Sequence, residues 1–314
     1  MFEKVVLRVC DYIFVLRPLI LIPAWSFYLL GAKEGMRNHP PVDVVWPSPS
    51  AFITLTAILA SAYLLNQVFD RDTDEINRKC FYLSEGIFRV RTVLILAVVF
   101  FMIASVSFQN VTDARRAPLF LSLILALTYT LPPVRLCARP FVDMLANAAG
   151  YGGVAFVLGY SVFEHSWAAP LRASIPYVLL VAATFLHTAI LDVDGDRASG
   201  KITTAVFLGA RAASGFALVL TVLAVVSALL VGHVTALVVT GVALPVSSFA
   251  FFVRSRRASS LLVQANTGII TLAAAVAWPA CLALILPLLA LARYYYRKRF
   301  GIIYPGAPVP GSSG

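Results

Sequence analysis

Charged residues are scarce in this chain of 314 residues: Asp, Glu, Lys and Arg make up 13% of it, and hydrophobic residues make up 60%. A soluble domain of this size carries about a quarter charged residues. The composition therefore excludes an ordinary soluble protein and indicates an integral membrane protein with one membrane domain. The net charge of +10 comes without a basic stripe interleaved with aromatic residues, so no nucleic-acid binding is expected.

Cysteine is rare as well, and the chain contains no Cys-x-x-Cys pair. The four cysteines are Cys10, Cys80, Cys137 and Cys281. Their scatter disfavours a metal or disulfide role. A cleavable signal-peptide pattern is also missing, because Arg17-Pro18 interrupts the first apolar stretch and no small-residue cleavage site follows. We therefore expect that stretch to be a retained helix.

Long apolar segments, by contrast, are abundant. A membrane-crossing helix needs about 20 apolar residues. Nine segments approach this template: 10–31, 50–69, 91–108, 117–132, 140–161, 173–191, 211–231, 233–253 and 264–291. The last is long and contains Pro279 and Pro287, so it is expected to kink or break. The sequence predicts an all-α, multi-spanning transmembrane bundle of about nine helices over residues 1–305, with a disordered tail at 306–314.

Two acidic clusters, 122 residues apart, stand at the ends of apolar helices. The first contains Asn66, Asp70 and Asp74, and the second contains Asp192 and Asp196. Residues four apart share a helix face, where like charges repel, and a helix C-terminus disfavours anions. Carboxylates at a membrane edge indicate a functional site that needs a compensating cation. Oxygen ligands without His or Cys suit Mg²⁺, which completes its shell with water and substrate phosphates.

Two further acidic residues, Asp72 and Asp194, lie off these shared faces and are expected to be cap or loop carboxylates. Basic residues surround both motifs: Arg71, Arg78, Lys79, Arg135, Arg139, Arg197 and Lys201. Such groups can neutralise phosphate oxygens. A solvated inner loop explains any single one of them equally well.

A faint internal repeat has the same 122-residue offset. Arg17-Pro18 recurs as Arg139-Pro140, and Gly31 recurs as Gly153. The repeating unit is four helices. Because four is even, the two copies run in the same direction and both acidic ends emerge on one membrane face.

The distribution of basic residues predicts which face this is. With the N-terminus inside, fifteen Lys and Arg residues fall in inner connections and nine in outer ones. Basic residues favour the cytoplasmic side, so both clusters are expected there. Nine spans place the tail residues Arg293, Arg297, Lys298 and Arg299 outside, against this rule. An even number of spans removes the conflict.

At these residues the chain resembles the UbiA-type superfamily of intramembrane prenyltransferases. Members carry Asn-x-x-x-Asp-x-x-x-Asp after the second helix and Asp-x-x-x-Asp after the sixth, which the two clusters match. Further matching segments are Arg17-Pro18, Asn77-Arg78-Lys79, Leu83-Ser84-Glu85-Gly86, Tyr129 to Arg135, and Gly195 to Lys201. The resemblance spans about 10–290. Gln67 departs from it, since many members have an acidic residue there, and this predicts weaker metal binding by the first motif.

The resemblance implies a prenyltransferase domain whose site opens to the cytoplasmic leaflet. It implies transfer from an isoprenyl diphosphate to a hydrophobic aromatic or lipid-alcohol acceptor within membrane lipid, with release of pyrophosphate. The catalytic, Mg²⁺-binding residues would be Asp70, Asp74, Asp192 and Asp196, supported by Asn66. The diphosphate would be held by Arg78, Lys79, Arg135, Lys201 and Arg17. Tyr129 and Tyr151 can line the acceptor site or stabilise a cation, and both also suit ordinary interface tyrosines.

Other functions remain open at this point. A cation- or proton-coupled transporter could use the acidic pairs as ion sites, but transporters place such groups near the bilayer midplane in broken helices. Another lipid phosphotransferase would need only one Asp-rich helix end. A non-catalytic protein with the same fold is the third possibility.

Overall fold

The computed structural model describes residues 2–38, 45–77, 81–164 and 166–302. Within these ranges the chain is helical and forms no strand. The helices are α1 (Phe2–Phe14), α2 (Pro18–Gly35), α3 (Pro49–Phe69), α4 (Arg71–Ile76), α5 (Phe81–Ser84), α6 (Val90–Phe108), α7 (Asp113–Thr130), α8 (Val142–Tyr160), α9 (Ala168–Ala198), α10 (Thr204–Leu208), α11 (Ala210–Val231), α12 (Val234–Val253), α13 (Arg256–Ala277) and α14 (Leu282–Phe300). The predicted all-α, multi-spanning bundle is confirmed. The predicted tail at 306–314 lies outside the described residues.

Eight of the described helices are long and apolar enough to cross a membrane. They are α3, α6, α8, α9, α11, α12, α13 and the last helix counted from Pro279. Two further helices, α2 and α7, have 18 residues each. Their ends carry charged residues, among them Lys33, Glu34, Arg115 and Arg116. The protein is therefore a multi-pass integral membrane protein.

The first predicted span, 10–31, is two helices rather than one. α1 ends at Phe14, and α2 begins at Pro18. Arg17 between them has φ 54°, a left-handed conformation that stops the first helix. Proline at the first position of α2 is favourable because its missing N–H would have no helical partner there. The prediction of a single helix here is wrong in its bounds.

The last predicted span, 264–291, also divides into two helices. α13 ends at Ala277, and Pro279 opens the turn that leads into α14. Proline disfavours continuation of a helix because it lacks the N–H and clashes with the preceding turn. The extra helix returns the chain to its starting side, where Arg299 Nε lies 3.1 Å from Asp11 Oδ1 of α1. The placement of the four basic tail residues on the outer side is therefore wrong.

The four-helix repeat is visible in the packing. In the first copy α3 packs along α6, and in the second α9 packs along α11. α2 and α8 cross so closely that a Cβ on Gly31 would collide with the Phe156 carbonyl, and one on Gly159 with the Tyr28 carbonyl. Small residues allow such crossings in membranes. Gly31 and Gly159 thus occupy matching positions at the crossing, while the predicted sequence correspondence of Gly31 with Gly153 stays a prediction.

The bundle interior contains two main apolar clusters. The larger runs through the middle of the bundle and includes Phe27, Phe156 and Tyr177. The smaller lies at the end of the bundle that carries Asp70, and it includes Phe14 and Tyr295. The smaller cluster packs α1 and α14 against the elements next to the first acidic motif.

Candidate active site

The first acidic motif spans the junction between α3 and α4. Asp70 itself caps α3, with φ −103° and ψ 14°. The backbone hydrogen bonds nevertheless continue, from Asp70 N to Asn66 O at 2.8 Å and from Asp74 N to Asp70 O at 2.8 Å. The three side chains therefore follow one another at one-turn intervals. Asn66 Nδ2 donates to Asp70 Oδ2 at 2.8 Å, which fixes one carboxylate oxygen.

The second motif lies in the last two turns of α9. This helix has 31 residues and continues through Gly195 to Ala198. Gly195 does not interrupt the helix, and Asn77 Oδ1 accepts a hydrogen bond from Gly195 N at 3.2 Å. A Cβ at Gly195 would overlap the Asn77 side chain. Glycine is thus what lets the end of the first motif approach the second.

The two motifs meet at Lys201, five residues after the second one. Its Nζ lies 3.4 Å from Asp70 Oδ2 and 3.9 Å from Asp196 Oδ1. Both carboxylates are buried, with Asp70 7% and Asp196 4% exposed. One ammonium thus contacts acidic groups that are 126 residues apart in the sequence. The facing arrangement is what a shared cationic or phosphate-containing ligand would require.

Arg135 approaches Asp70 from the other side. Its Nη2 lies 2.9 Å from Asp70 Oδ1 and 3.3 Å from the Phe69 carbonyl. Burial alone would lower the pKa values of Arg135 and Lys201, but the charge and hydrogen bond of Asp70 together with smaller contributions from neighbouring groups outweigh it, and both pKa values are raised. Both side chains therefore stay cationic and available to phosphate oxygens.

The remaining predicted phosphate ligands are placed differently. Arg17 Nη1 donates to Asn66 Oδ1 at 3.4 Å, so Arg17 reaches the first motif. Arg78 and Lys79 lie outside the described residues. The off-face acidic residues point elsewhere: Asp72 is exposed, and Asp194 forms an exposed ion pair with Arg256 at 2.7 Å.

The predicted acceptor tyrosines lie deeper in the bundle. Tyr151, in the π-helical middle of α8, hydrogen bonds through its hydroxyl to the hydroxyl of Tyr63. Tyr129 has Asp70, Asp143 and Tyr151 as electrostatic neighbours. Tyr63 was not predicted, although its spacing of seven residues from Asp70 places it on the same helix face. These tyrosines connect the acidic end to the apolar interior.

Asp143 and Cys137 were also missed. Asp143 is fully buried and accepts hydrogen bonds from Thr204 N at 2.8 Å, from Met144 N at 2.7 Å and from the Thr204 hydroxyl. It thereby ties the segment after Lys201 to the start of α8. Cys137 is buried beside Arg135 and Lys201, and burial raises the pKa of its thiol. No spacing pattern links either residue to the acidic motifs, so only tertiary structure could find them.

Gln67 does not point into this site. Its Nε2 donates to the Val15 carbonyl at 2.7 Å and to the Tyr63 carbonyl at 3.1 Å. A carboxylate could make neither bond, since it has no proton to donate. The Gln67 side-chain amide is thus bonded to backbone carbonyls at the end of α1 and in α3. The weaker metal binding expected from the missing carboxylate stays a prediction.

The donor set fits Mg²⁺. It consists of carboxylate and amide oxygens on two facing helix ends. Among the described residues, no three His, Cys, Asp or Glu side chains come close enough to form a protein-only metal cage. Mg²⁺ needs no such cage, because it takes one or two carboxylates and completes its shell with water and substrate phosphates.

A model of the UbiA prenyltransferase family matches residues 20–265, well over half of the chain. The chain belongs to the UbiA prenyltransferase family. The family suggested by the acidic motifs is thus confirmed. The match begins inside α2 and ends inside α13, so α1 and α14 of this UbiA family member lie outside it.

Relatives and solved structures agree with this assignment. The UbiA family member is 31% identical over 148 residues to lycopene elongase/hydratase of Haloarcula japonica, across 47% of this chain and 49% of the relative. It is 30% identical over 166 residues to digeranylgeranylglyceryl phosphate synthase of Sulfurisphaera tokodaii, across 51% and 56%. The chain thus spans about half the length of these curated relatives.

The fold matches a solved UbiA homologue from Archaeoglobus fulgidus bound to GPP and Mg²⁺. The TM-score is 0.69 at 19% sequence identity, and the match covers 86% of this chain and 99% of that chain. At this identity the likeness establishes the shared fold.

Proposed function

We propose that this protein transfers an isoprenyl group from an isoprenyl diphosphate to a hydrophobic acceptor, with release of pyrophosphate and dependence on Mg²⁺. Membership of the UbiA family and the facing acidic motifs support this function. The observation that carries the proposal is the double contact of Lys201, whose Nζ lies 3.4 Å from Asp70 and 3.9 Å from Asp196.

The acidic motifs would hold the metal and, through it, the donor. Asp70, Asp74, Asp192 and Asp196 are the proposed ligands, and Asn66 keeps Asp70 oriented through its 2.8 Å hydrogen bond. When bound, Mg²⁺ would neutralise charge that develops on the departing pyrophosphate.

The basic residues would hold the phosphate oxygens that the metal leaves uncovered. Arg135 and Lys201 are already drawn to Asp70, so they lie where the diphosphate would sit. Arg17, Arg78 and Lys79 are assigned the same role. As the bond from C1 to oxygen breaks, these fixed cations stabilise the negative charge of the leaving group.

The tyrosines mark the proposed acceptor side. The carbocation-like allylic fragment would alkylate the acceptor, which loses a proton. Tyr129 and Tyr151 lie between the acidic end and the apolar interior, where their rings can face a cation. An aromatic or lipid-alcohol acceptor and the prenyl chain would both enter from the membrane.

The site is proposed to face the cytoplasm. Once the four basic tail residues are moved to the side of α1, five of the nine Lys and Arg residues assigned outside remain there. The excess of basic residues on the side of the acidic motifs then becomes larger, as expected for a cytoplasmic face.

Purified protein with Mg²⁺, labelled isoprenyl diphosphates and a panel of aromatic and lipid-alcohol acceptors tests the function. Pyrophosphate release and labelled product are expected, and chelator should abolish both. Asp70→Asn and Asp196→Asn should lower transfer about 100-fold. Asp194→Asn is the matched control, because Asp194 is exposed and pairs with Arg256. Ion uptake by reconstituted protein without any labelled product would instead indicate the transporter.

A further inference from the structure

The smaller apolar cluster lies beside the first acidic motif and joins α1 and α14, which lie outside the family match, to residues of α3, α5 and α6. Phe14 of α1 stacks on Tyr295 of α14, with ring centroids 4.8 Å apart and an interplanar angle of 11°. Both side chains are fully buried. α1 and the end of α14 therefore form one packed unit at the end of the bundle that carries the site.

A buried carboxylate holds this unit together. Asp11 of α1 is 1% exposed, and its oxygens accept hydrogen bonds from Tyr295 Oη at 2.7 Å and from Arg299 Nε at 3.1 Å. Arg8 adds a contact at 3.8 Å. A buried charge is costly unless it is paired and hydrogen-bonded. These partners make Asp11 the polar contact that fixes α1 onto α14.

α1 in turn contacts the first acidic motif. The Val15 carbonyl, at the C-terminal end of α1, accepts the 2.7 Å hydrogen bond from Gln67 Nε2. Gln67 is 2% exposed and lies between Asn66 and Asp70 in the last turn of α3. Because the helix backbone fixes the Cα–Cβ directions of residues on one turn relative to each other, holding Gln67 sets the rotation of this turn about the helix axis and so the directions from which Asn66 and Asp70 extend.

The same two helices hold the chain that follows the motif. Tyr82 and Tyr296 share a hydrogen bond between hydroxyls at 3.1 Å, and the rings of Phe81 and Phe300 lie 4.9 Å apart. Arg8 Nη1 donates to the Ile87 carbonyl at 3.4 Å. α1 and α14 thus contact Gln67 within the motif and the segment 81–87 that follows it.

We propose that Asp11 is a positioning residue for the first acidic motif. By fixing α1 onto α14, Asp11 keeps the Val15 carbonyl in place for Gln67, and Gln67 keeps Asn66 and Asp70 placed so that Asp70 is directed towards Lys201. This inference rests on the proposed function. It adds that the donor site of this protein depends on two terminal helices outside the family match. Residues that orient metal ligands without contacting the metal commonly control metal affinity.

The first experiment compares Asp11→Asn and Tyr295→Phe with Glu3→Gln. Glu3 pairs with Lys298 across the same two helices at 3.2 Å, but both side chains are more than half exposed, so its loss should be silent. In the two test variants we expect the KM for isoprenyl diphosphate and the half-saturating Mg²⁺ concentration to rise about tenfold. The kcat at saturation and the KM for the acceptor should stay close to the wild-type values.

Hydrogen–deuterium exchange supplies a readout that needs no activity. Amides in 64–76 and 81–88 should exchange faster in Asp11→Asn and Tyr295→Phe, whereas those of α11 and α12 should not change. The inference is overturned if the amides of Asp11→Asn and Tyr295→Phe exchange at wild-type rates. It is also overturned if the KM values for donor and acceptor rise equally in these variants. If the wild-type protein transfers no isoprenyl group to any acceptor, the proposed function fails, and the exchange data alone then decide the role of Asp11.

Discussion

Asn77 and Gly195 join the ends of the two acidic helices: Asn77 Oδ1 accepts from Gly195 N at 3.2 Å, and Asn77 Nδ2 reaches the Asp192 carbonyl at 3.5 Å. The contact requires that residue 195 have no side chain, because a Cβ there would overlap Asn77. The separation of the two motifs is therefore set by a hydrogen-bonded glycine contact as well as by the charges.

Gly195→Ala should push the two motifs apart. Overpacking of this kind costs about 1–3 kcal/mol, and we expect a raised KM for the diphosphate and a lower thermal midpoint in detergent. Gly268→Ala is the control, since a Cβ there meets no atom within 4 Å. Equal donor KM values for the two variants would contradict the proposed contact.

The crossing of α2 and α8 gives a second prediction. Gly159→Ala places a methyl group against the Tyr28 carbonyl and should lower the free energy of unfolding by about 1–3 kcal/mol. Gly153→Ala in the same helix meets only Val178 Cγ2 at 3.5 Å and should be tolerated. Thermal unfolding in detergent checks both. If Gly153→Ala is the more damaging change, the structural correspondence of Gly31 with Gly159 is wrong.

The pairing of Lys201 predicts how stability depends on pH. Burial alone would lower the pKa of Lys201, but Asp70 and Asp196 outweigh it, so the pKa rises above its ordinary value of 10.5. Because the pKa of Lys201 is raised in the folded protein, its ion pairs stabilise the folded state fully below pH 10.5. This stabilisation is lost as the pH rises through the pKa that Lys201 has in the folded protein.

Lys201→Met, measured in chelator, should therefore lower the thermal midpoint by a constant amount from neutral pH to about pH 10. The difference from wild type should shrink above that range. Arg256→Met, which breaks the exposed pair with Asp194, should have little effect at any pH. A difference that already disappears near neutral pH would show that Lys201 is not held as a buried cation.

The hydroxyl pair of Tyr63 and Tyr151 predicts a non-additive effect. Tyr151→Phe leaves the half-buried Tyr63 hydroxyl without the partner that the described structure shows, at a cost of about 1 kcal/mol. The double variant that combines Tyr63→Phe with Tyr151→Phe lacks both hydroxyl groups. It should be less destabilised than the single variant Tyr151→Phe. Unfolding free energies of the single and double variants test this, and simple additivity would argue against the pair.

Much of the architecture could be read from the sequence because each spanning helix must satisfy its own backbone hydrogen bonds within one apolar segment. The segments 211–231 and 233–253 match α11 and α12 almost residue for residue. The prediction for the first span was wrong at Arg17-Pro18, where one expected helix is two, whereas the break expected in the last span is confirmed at Pro279. At Arg17-Pro18 the apolar residues continue across the point where one helix ends and the next begins, so a count of apolar residues does not reveal this boundary.

The acidic motifs could be found from spacing, but their surroundings could not. A four-residue interval along one helix specifies a shared face for Asp192 and Asp196. Nothing in the sequence says that Cys137 lies beside Lys201 or that Asp143 holds Thr204. The partner of Gln67 could not be predicted for the same reason, since it is a backbone carbonyl 52 residues away.

The sequence by itself determined that this chain crosses a membrane many times and carries two Asp-rich helix ends, because hydrophobic length and helical periodicity are local properties. Tertiary structure decided which groups meet at those ends. Contacts such as Lys201 with Asp70 and Asp196, Gly31 with Phe156, and Asp11 with Tyr295 join distant parts of the chain. They form only where the packing of whole helices brings the groups within hydrogen-bond or van der Waals distance.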